Sequence, residues 1–332
     1  MEKIVITGAS GFIGSQLLDY FLNNFNDVSI CVLTRKTSKI IQKSHNLNII
    51  ETDFFDIKDI EKNISGATYF YHLLGATKGI TEKDFIKVNA TITENILEAI
   101  FNLKNQNKLD NFKRFLFVSS LAVSGDSSNP NLYKKEEDEY NPIEYYGKSK
   151  MLAEKICQKY FGKLPITIIR PSAVIGEGDK DFLTSYKFIQ NHLKIFFGNR
   201  NKFFSYIYVK DLVEGIIKAS FSDKTINNVY FLTNKNIITW GDFYEKISKI
   251  LKKKCITINI PNFLLDIIAF FGEIYSKIFK KKVLLNKQKI KLGKANHFIC
   301  SHRKAEKDFG FVAKTNLDET LRKTVFFYFK NK

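Results

Sequence analysis

A chain of 332 residues is too long for one small core and long enough for a large α/β domain with a second lobe. Its 44% hydrophobic content excludes a largely disordered polymer, and 17 Gly with only five Pro exclude a collagen-like or linker-rich one. The net charge of +18 rests on 46 Lys spread along the chain and only six Arg. That distribution solvates surfaces and draws in anions; it lacks the clustered Arg and interleaved aromatics of a nucleic-acid-binding element, and no nucleic-acid partner is expected.

Cys31, Cys157, Cys255 and Cys300 form no C-x-x-C and have no His at ligand spacing. Neither a disulfide framework nor a metal site is expected, and the thiols fit a reducing, cytoplasmic compartment. Met1-Glu2-Lys3 leads straight into Ile4-Val5-Ile6, too short an apolar run for a signal segment. No stretch reaches the ~18 apolar residues of a membrane span.

In chain order, the first half alternates short apolar runs with amphipathic segments. Strands are predicted at Lys3–Thr7, Val28–Thr34, Asn48–Thr52, Thr68–Leu74, Arg114–Ser119 and Ile166–Arg170. Helices are predicted at Ser15–Asn24, Asp84–Leu103 and Lys148–Tyr160. Such alternation predicts βαβ units and a doubly wound parallel sheet, helices on both faces; the near-continuous apolar strands suit burial on both sides. Beyond Pro171 helical patterns dominate. The expected division is a domain built on this sheet over 1–171 and a smaller, mostly helical lobe over 172–332, with a strand near 228–233 returning to the first sheet.

The first strand runs into Thr7-Gly8-Ala9-Ser10-Gly11-Phe12-Ile13-Gly14 and then a helix. This is the pattern of a pyrophosphate cradle. Gly8 permits the tight turn, Gly11 lets backbone N–H groups approach phosphate, and Gly14 lets the helix close on the strand. The spacing T-G-x-x-G-F-I-G resembles that of the extended short-chain dehydrogenase/reductases, the NAD-dependent epimerase/dehydratase family. The resemblance implies a Rossmann-type fold and places cofactor contacts at Gly8, Ser10, Gly11, Phe12, Ile13 and Gly14.

The second strand ends in Thr34-Arg35-Lys36, and no acid occurs between Asp27 and Glu51. A carboxylate there would hold a ribose 2′-OH, whereas a guanidinium accepts a 2′-phosphate. The expected cofactor is NADP, with NAD as the alternative and Arg35 as the main contact. The resemblance adds Asp53 and Phe54, beside the adenine, and Leu74 and Gly75, in the loop after the fourth strand. His72, in the same stretch, reads as a packed, hydrogen-bonded core residue rather than a catalyst.

Three Tyr-x-x-x-Lys pairs occur: Tyr146/Lys150, Tyr206/Lys210 and Tyr328/Lys332. Only the first opens a helix pattern before a strand and lies downstream of the strand-end pair Ser119-Ser120. Tyr and Lys four apart share a helix face, so an ammonium beside the phenol would lower its pKa for acid/base work. In the family's S-S-x-x-V-x-G pattern the second serine polarises the substrate oxygen, which falls here on Ser120. The implied catalytic set is Ser120, Tyr146 and Lys150, the latter two also touching the cofactor, with Pro171 in Arg170-Pro171-Ser172-Ala173-Val174-Ile175-Gly176 beside the nicotinamide. Tyr208-Val209-Lys210-Asp211-Leu212 resembles the family's V-x-D-L segment.

The departures narrow the chemistry. Sugar dehydratases of the family have Thr, Asp and Glu where Ser120-Leu121-Ala122 stands, which disfavours elimination of water. The epimerase-like pattern has Tyr at Ser124, and Gly is common at Ile92, after Asn89 in Val88-Asn89-Ala90. The C-terminal stretch around Lys304–Phe311 resembles reductases related to 3β-hydroxysteroid dehydrogenases and dihydroflavonol reductases. Residues 261–282 are strongly apolar and end in a Lys run, which reads as a lid over an apolar pocket or an interfacial helix giving peripheral membrane contact. Arg200 and Arg303 are candidate phosphate contacts. The leading expectation is net hydride transfer on a fairly apolar small carbonyl or alcohol. The alternatives are a nucleotide-sugar epimerase with tightly held NAD and a non-catalytic NADP-binding sensor or scaffold. A homodimer through the 84–103 and 148–160 helices is also expected.

Overall fold

The structure is a computed structural model that describes residues 1–35, 40, 42–261, 264, 267 and 287–329. Lys36 and nearly all of the 261–282 segment lie outside the described residues.

Seven parallel strands form the central sheet. In chain order they are β1 (Glu2–Thr7), β2 (Val28–Thr34), β3 (Leu47–Glu51), β4 (Tyr69–His72), β5 (Arg114–Val118), β6 (Ile166–Pro171) and, after an excursion through the lobe, β10 (Asn228–Leu232). Their spatial order is β3-β2-β1-β4-β5-β6-β10, so the chain runs outward from β1 to one edge, returns, and continues to the other. The order reverses beside β1, and that switch opens a crevice at the carboxyl ends of the strands.

Alternate residues of each strand feed two separate cores, as the pleat requires. Ile4, Ile6, Leu116 and Val118 pack with Leu17 and Leu18 of α1 (Phe12–Asn24) and with Leu212 and Ile216 of α7 (Val209–Phe221). Val5, Phe115 and Phe117 face Ile60 of α2 (Ile57–Ile64), Ile96 and Ile100 of α4 (Ile92–Asn105) and Ala153 of α5 (Tyr145–Lys159). Each such fully buried side chain contributes about 1.5–3 kcal/mol relative to exposure, which commits the strands to their register.

The helix predicted over Asp84–Leu103 is present without interruption but changes pitch inside. A capped turn α3 (Glu82–Ile86) passes into a π-helical turn at Lys87–Thr91 and only then into α4. The wider turn places Asn89 where it bonds Ala76 on both amide atoms and donates to Ser149 Oγ at 2.8 Å.

The lobe contains, beside its helices, two small sheets. β9 (Phe203–Tyr208) lies between β7 (Ala173–Ile175) and β11 (Ile237–Thr239), and β8 (Leu193–Phe197) pairs in parallel with β12 (Ile256–Ile260). A third core joins them: Tyr186 and Ile189 of α6 (Leu183–Gln190), Phe243 and Ile247 of α8 (Trp240–Ile250), and Leu321 and Val325 of the C-terminal helix Leu317–Phe329. Residues 296–301 thread between lobe and sheet domain: Phe298 exchanges backbone hydrogen bonds with Phe203 and Ser205, and Ser127 and Lys134 pair with His297 and Ile299. Asp211, of the V-x-D-L segment, is buried and accepts from both the amide and the hydroxyl of Thr315, so it ties the C-terminal stretch to α7.

Candidate active site

The glycine turn sits at the switch beside β1. Gly8 has φ of +79°, and a Cβ there would lie 2.6 Å from the Leu73–Leu74 peptide. A Cβ on Gly14 would meet Gly8 O at 2.1 Å, so strand end and helix start are in backbone contact. α1 begins after Gly11 with no side-chain cap on its amides, while Ser10 and Gly11 are exposed and Phe12 and Ile13 half-buried. Uncapped N–H groups at a helix N-terminus and a surface free of Cβ atoms fit a pyrophosphate.

Arg35 is exposed directly past β2, one strand over from this turn. Asp53 follows β3 at the same edge; its carboxylate accepts from Phe55 N at 2.9 Å, while Phe54 is buried. Leu74 is buried under the glycine turn, and exposed Gly75 leaves room for Lys150 and Asn89, since a Cβ there would be 3.2 Å from Lys150 Nζ and from Asn89 Oδ1. Ser119 and Ser172 end the adjacent strands β5 and β6, with buried hydroxyls that have no hydrogen-bond partner among the described residues. A cofactor laid across the crevice would pass these groups.

α5 begins at Tyr145, three residues ahead of the predicted start, because Glu144 caps it. Tyr146 is therefore in the first turn, and its phenol lies near enough to Ser120 for that hydroxyl to favour phenolate. Ser120 also caps the short turn Leu121–Val123 through Ala122 N at 3.1 Å. One turn further along, Lys150 is almost wholly buried and donates to Val118 O at 2.9 Å, with its ammonium 4.6 Å from the centre of the Phe117 ring. Burial holds Lys150 down at about 8. The phenol is pushed up to about 12: desolvation raises it most, Ser120 lowers it, and Glu144 and Asp181 raise it further. The expected lowering of the phenol by Lys150 is not found, because the ammonium is turned to the end of β5.

His72 is a core residue, as its setting suggested. It is buried between Thr7 Oγ1 at 2.7 Å and Thr93 Oγ1 at 3.0 Å, and burial with Lys150 close by pushes it down to about 3. Thr93 Oγ1 donates to Asn89 O at 2.7 Å, so it accepts from His72 Nε2–H, which leaves Nδ1 to accept from Thr7. Ser124 is buried and faces Arg170 Nη1 at 3.5 Å. Arg200 is exposed in the turn between β8 and β9. Arg303 is exposed beside Lys304, which bonds Asn228 and Val229 at the amino-terminal end of β10, whereas Ser120 lies past the carboxyl-terminal end of β5.

The sequence model of the NAD dependent epimerase/dehydratase family matches residues 4–230, which takes in the glycine turn, Ser120, Tyr146 and Lys150. The chain belongs to that family. Among relatives, it is 26% identical to the N-acetyl-alpha-D-glucosaminyl-diphospho-ditrans,octacis-undecaprenol 4-epimerase of Escherichia coli O157:H7, over 99% of this chain and 96% of that one. It is 23% identical to the 3 beta-hydroxysteroid dehydrogenase/Delta 5-->4-isomerase of Vaccinia virus (strain Ankara), over 98% of both chains. Among solved structures, the dTDP-glucose 4,6-dehydratase of Bacillus anthracis in complex with NAD superposes with a TM-score of 0.79 at 18% identity, covering 100% of this chain and 98% of that one. Members of this epimerase/dehydratase family are NAD-dependent enzymes with this Rossmann-like sheet, and among the described residues no helix is long and apolar enough to cross a membrane.

Sequence reasoning missed two parts of the site. Glu144 as the cap of the Tyr146 helix had a weak signal, an acid just ahead of the predicted helix. Asp181, in the loop after β7, had none, because its proximity to Tyr146 depends on how that loop folds.

Proposed function

We propose that this protein is a sugar epimerase that inverts a secondary hydroxyl carbon on a hexose carried by a diphosphate. What supports the reading is the meeting of Ser120, at the carboxyl end of β5, with the Tyr146 phenol, in a chain that aligns over nearly its whole length with an epimerase of a diphospho-linked N-acetylglucosamine. This replaces net reduction of an apolar carbonyl as the leading reading.

The residues fit a dinucleotide: Gly8, Ser10, Gly11, Phe12, Ile13 and Gly14 would hold the pyrophosphate, Asp53 and Phe54 the adenine end, and Leu74, Gly75, Lys150 and Pro171 the nicotinamide end. A nicotinamide held there would supply a reversible hydride acceptor for the carbinol carbon. Ser120 and Tyr146 grip the substrate oxygen. Tyr146 takes the hydroxyl proton as that oxygen becomes a carbonyl oxygen, and gives it back when the C–H bond re-forms on the other face. Lys150 holds positive charge behind the site, anchored on Val118 O. Leu121 and Ala122, following Ser120, supply no acid to expel water, which weighs against dehydration.

A second reading is a 3β-hydroxysteroid-type dehydrogenase. Ser124, in place of the epimerase-like Tyr, and the Vaccinia virus relative favour it. One assay separates the two. Purified protein with NAD is given UDP-N-acetylglucosamine, or N-acetylglucosaminyl-diphospho-undecaprenol, and products are resolved by NMR. An epimerase yields the 4-epimer without net NADH, and Tyr146→Phe and Ser120→Ala lower its turnover about 100-fold or more. Steady NADH accumulation with a hydroxysteroid, or full turnover by Tyr146→Phe, would discard the proposal.

A further inference from the structure

We propose that the apolar face of the β8/β12 sheet, flanked by lysines, is a docking surface for an anionic lipid bilayer. The proposal goes beyond the catalytic reading above, and its test needs neither substrate nor cofactor.

β8 and β12 pair in parallel, with Leu193 beside Ile256, Ile195 beside Ile258 and Phe197 beside Ile260. Neighbours in register point the same way and alternate residues share a side, so these six apolar side chains lie on one face of the sheet. None of the six is buried, and Ile256 and Ile258 are 69% and 41% exposed. The opposite face is occupied: Phe196 packs on Tyr244 with ring centroids 4.9 Å apart, and Lys194 pairs with Glu245. On the six-residue face, Ile290 of the helix Lys287–Lys294 covers the carboxyl end, against Phe197 and Ile260. Past β12, Leu264 and Ile267 stand three residues apart in helical backbone and are exposed, as is Leu292. A contiguous apolar face of this kind marks an interaction site, unlike single exposed side chains.

The charge around the face selects the partner. Residues 252–294 carry eleven Lys against two acids and so hold nine of the eighteen net positive charges of the chain. Lys252, Lys253 and Lys254 lead into β12. Lys252, Lys254 and Lys291 are exposed and pair with no carboxylate among the described residues. A second copy of the chain would bring like charge against like. An acidic bilayer offers anionic headgroups for the lysines and an apolar layer just beneath for the isoleucines, and the two attractions add.

The face is joined to the candidate active site. Gln288 of the Lys287–Lys294 helix accepts from Tyr145 N at 3.2 Å, and Ile290, two residues on, packs on the apolar face. One helix thus separates the lipid surface from the first turn of α5, and docking would hold the site where a sugar diphosphate on a lipid carrier is presented.

The full-length chain is mixed with vesicles of phosphatidylcholine, alone or with about one-third phosphatidylglycerol, and binding is read by flotation. The parent should float with the acidic vesicles and not with the neutral ones, and high salt should release most of it. Ile256→Ser with Ile258→Ser should weaken binding about tenfold or more, and so should Lys252→Gln with Lys253→Gln and Lys254→Gln. Lys58→Gln with Lys62→Gln and Lys83→Gln removes the same charge from exposed positions of the sheet domain and should change binding less than about twofold. No flotation of the parent with acidic vesicles, an Ile256/Ile258 variant that binds like the parent, or equal weakening by the two lysine triples overturns the proposal. So does a dimer in sedimentation that the Ile256/Ile258 variant dissolves, since the face then belongs to a second copy. Turnover of UDP-N-acetylglucosamine in detergent-free solution reports on the catalytic reading separately, and either result can fail without the other.

Discussion

Arg170 and Glu154 form an ion pair inside the protein, with Arg170 Nη2 2.7 Å from Glu154 Oε2 and side chains 2% and 0% exposed. Arg170 Nε donates to both carboxylate oxygens, and Tyr140 donates its hydroxyl to Oε2 while its ring lies 5.1 Å from the guanidinium carbon. Arg170 is near the end of β6, and Glu154 is one turn beyond Lys150 on α5. The pair therefore pins the helix bearing Tyr146 and Lys150 to the strand bearing Pro171. Removing one partner strands the other charge out of water. Glu154→Ala and Arg170→Ala should each cost about 3–5 kcal/mol, whereas Arg170→Met with Glu154→Leu should recover most of the loss. Urea unfolding of the three variants decides it; a single variant within about 1 kcal/mol of the parent would contradict the role.

Lys150 makes stability depend on alkaline pH. Folded, it titrates at about 8, and its ordinary value is 10.5. Between these values the unfolded chain holds more protons, so raising the pH favours the fold. Below about pH 8 the lysine is charged in both states and the full cost of burying it is felt. The stability of the parent relative to Lys150→Met should therefore rise by roughly 2–3 kcal/mol from about pH 7.5 to about pH 10.5. Paired urea titrations across that range read it, and a falling difference would mean that Lys150 is not buried as described.

Gly14 and Gly11 should separate folding from cofactor binding. An alanine Cβ at 14 would be 2.1 Å from Gly8 O, a backbone overlap with no relief, so Gly14→Ala should lower the melting temperature sharply and abolish NAD binding. At 11 the nearest atom is Gly8 O at 3.1 Å, and the helix amides there are uncapped. Gly11→Ala should melt within a few degrees of the parent yet bind NAD about tenfold more weakly, as a methyl group blocks close approach of the pyrophosphate. Melting curves with and without NAD, joined to calorimetry, test both; equal losses at the two positions would refute the distinction.

Arg35 bears on cofactor choice. It is exposed at the end of β2, where a 2′-phosphate would meet it, and Lys36 follows. We expect Arg35→Ala to weaken NADP binding at least tenfold and NAD binding less than twofold. Equal effects on the two would assign the site to NAD, with Arg35 a solvated loop residue.

Much of the sheet domain was legible because its signals are local. Apolar runs bounded by turns gave every strand of the first half to within a few residues, and the glycine spacing carried its own backbone requirement. Boundaries failed where a distant group intervened. α5 starts at Tyr145 because Glu144 and Gln288 take its first amides, and β4 stops at His72 because the Leu73–Leu74 peptide is pressed against Gly8. The π-helical turn was hidden, since Asn89 adopts it alongside bonds to Ala76 and Ser149 from elsewhere in the chain. The lobe sheets were also obscure: β8 and β12 are short and pair across some sixty residues, a contact no local pattern encodes.

The order of residue types along the chain settled the fold family and marked the glycine turn and the Tyr146/Lys150 spacing, because hydrophobic period, glycine geometry and four-residue helix spacing act over short distances. Folding alone decided which way each charge points. It sent the Lys150 ammonium to Val118 and put Glu144 and Asp181 around Tyr146, and those orientations, being the sum of burial and long-range contacts, set whether the phenol holds or gives up its proton.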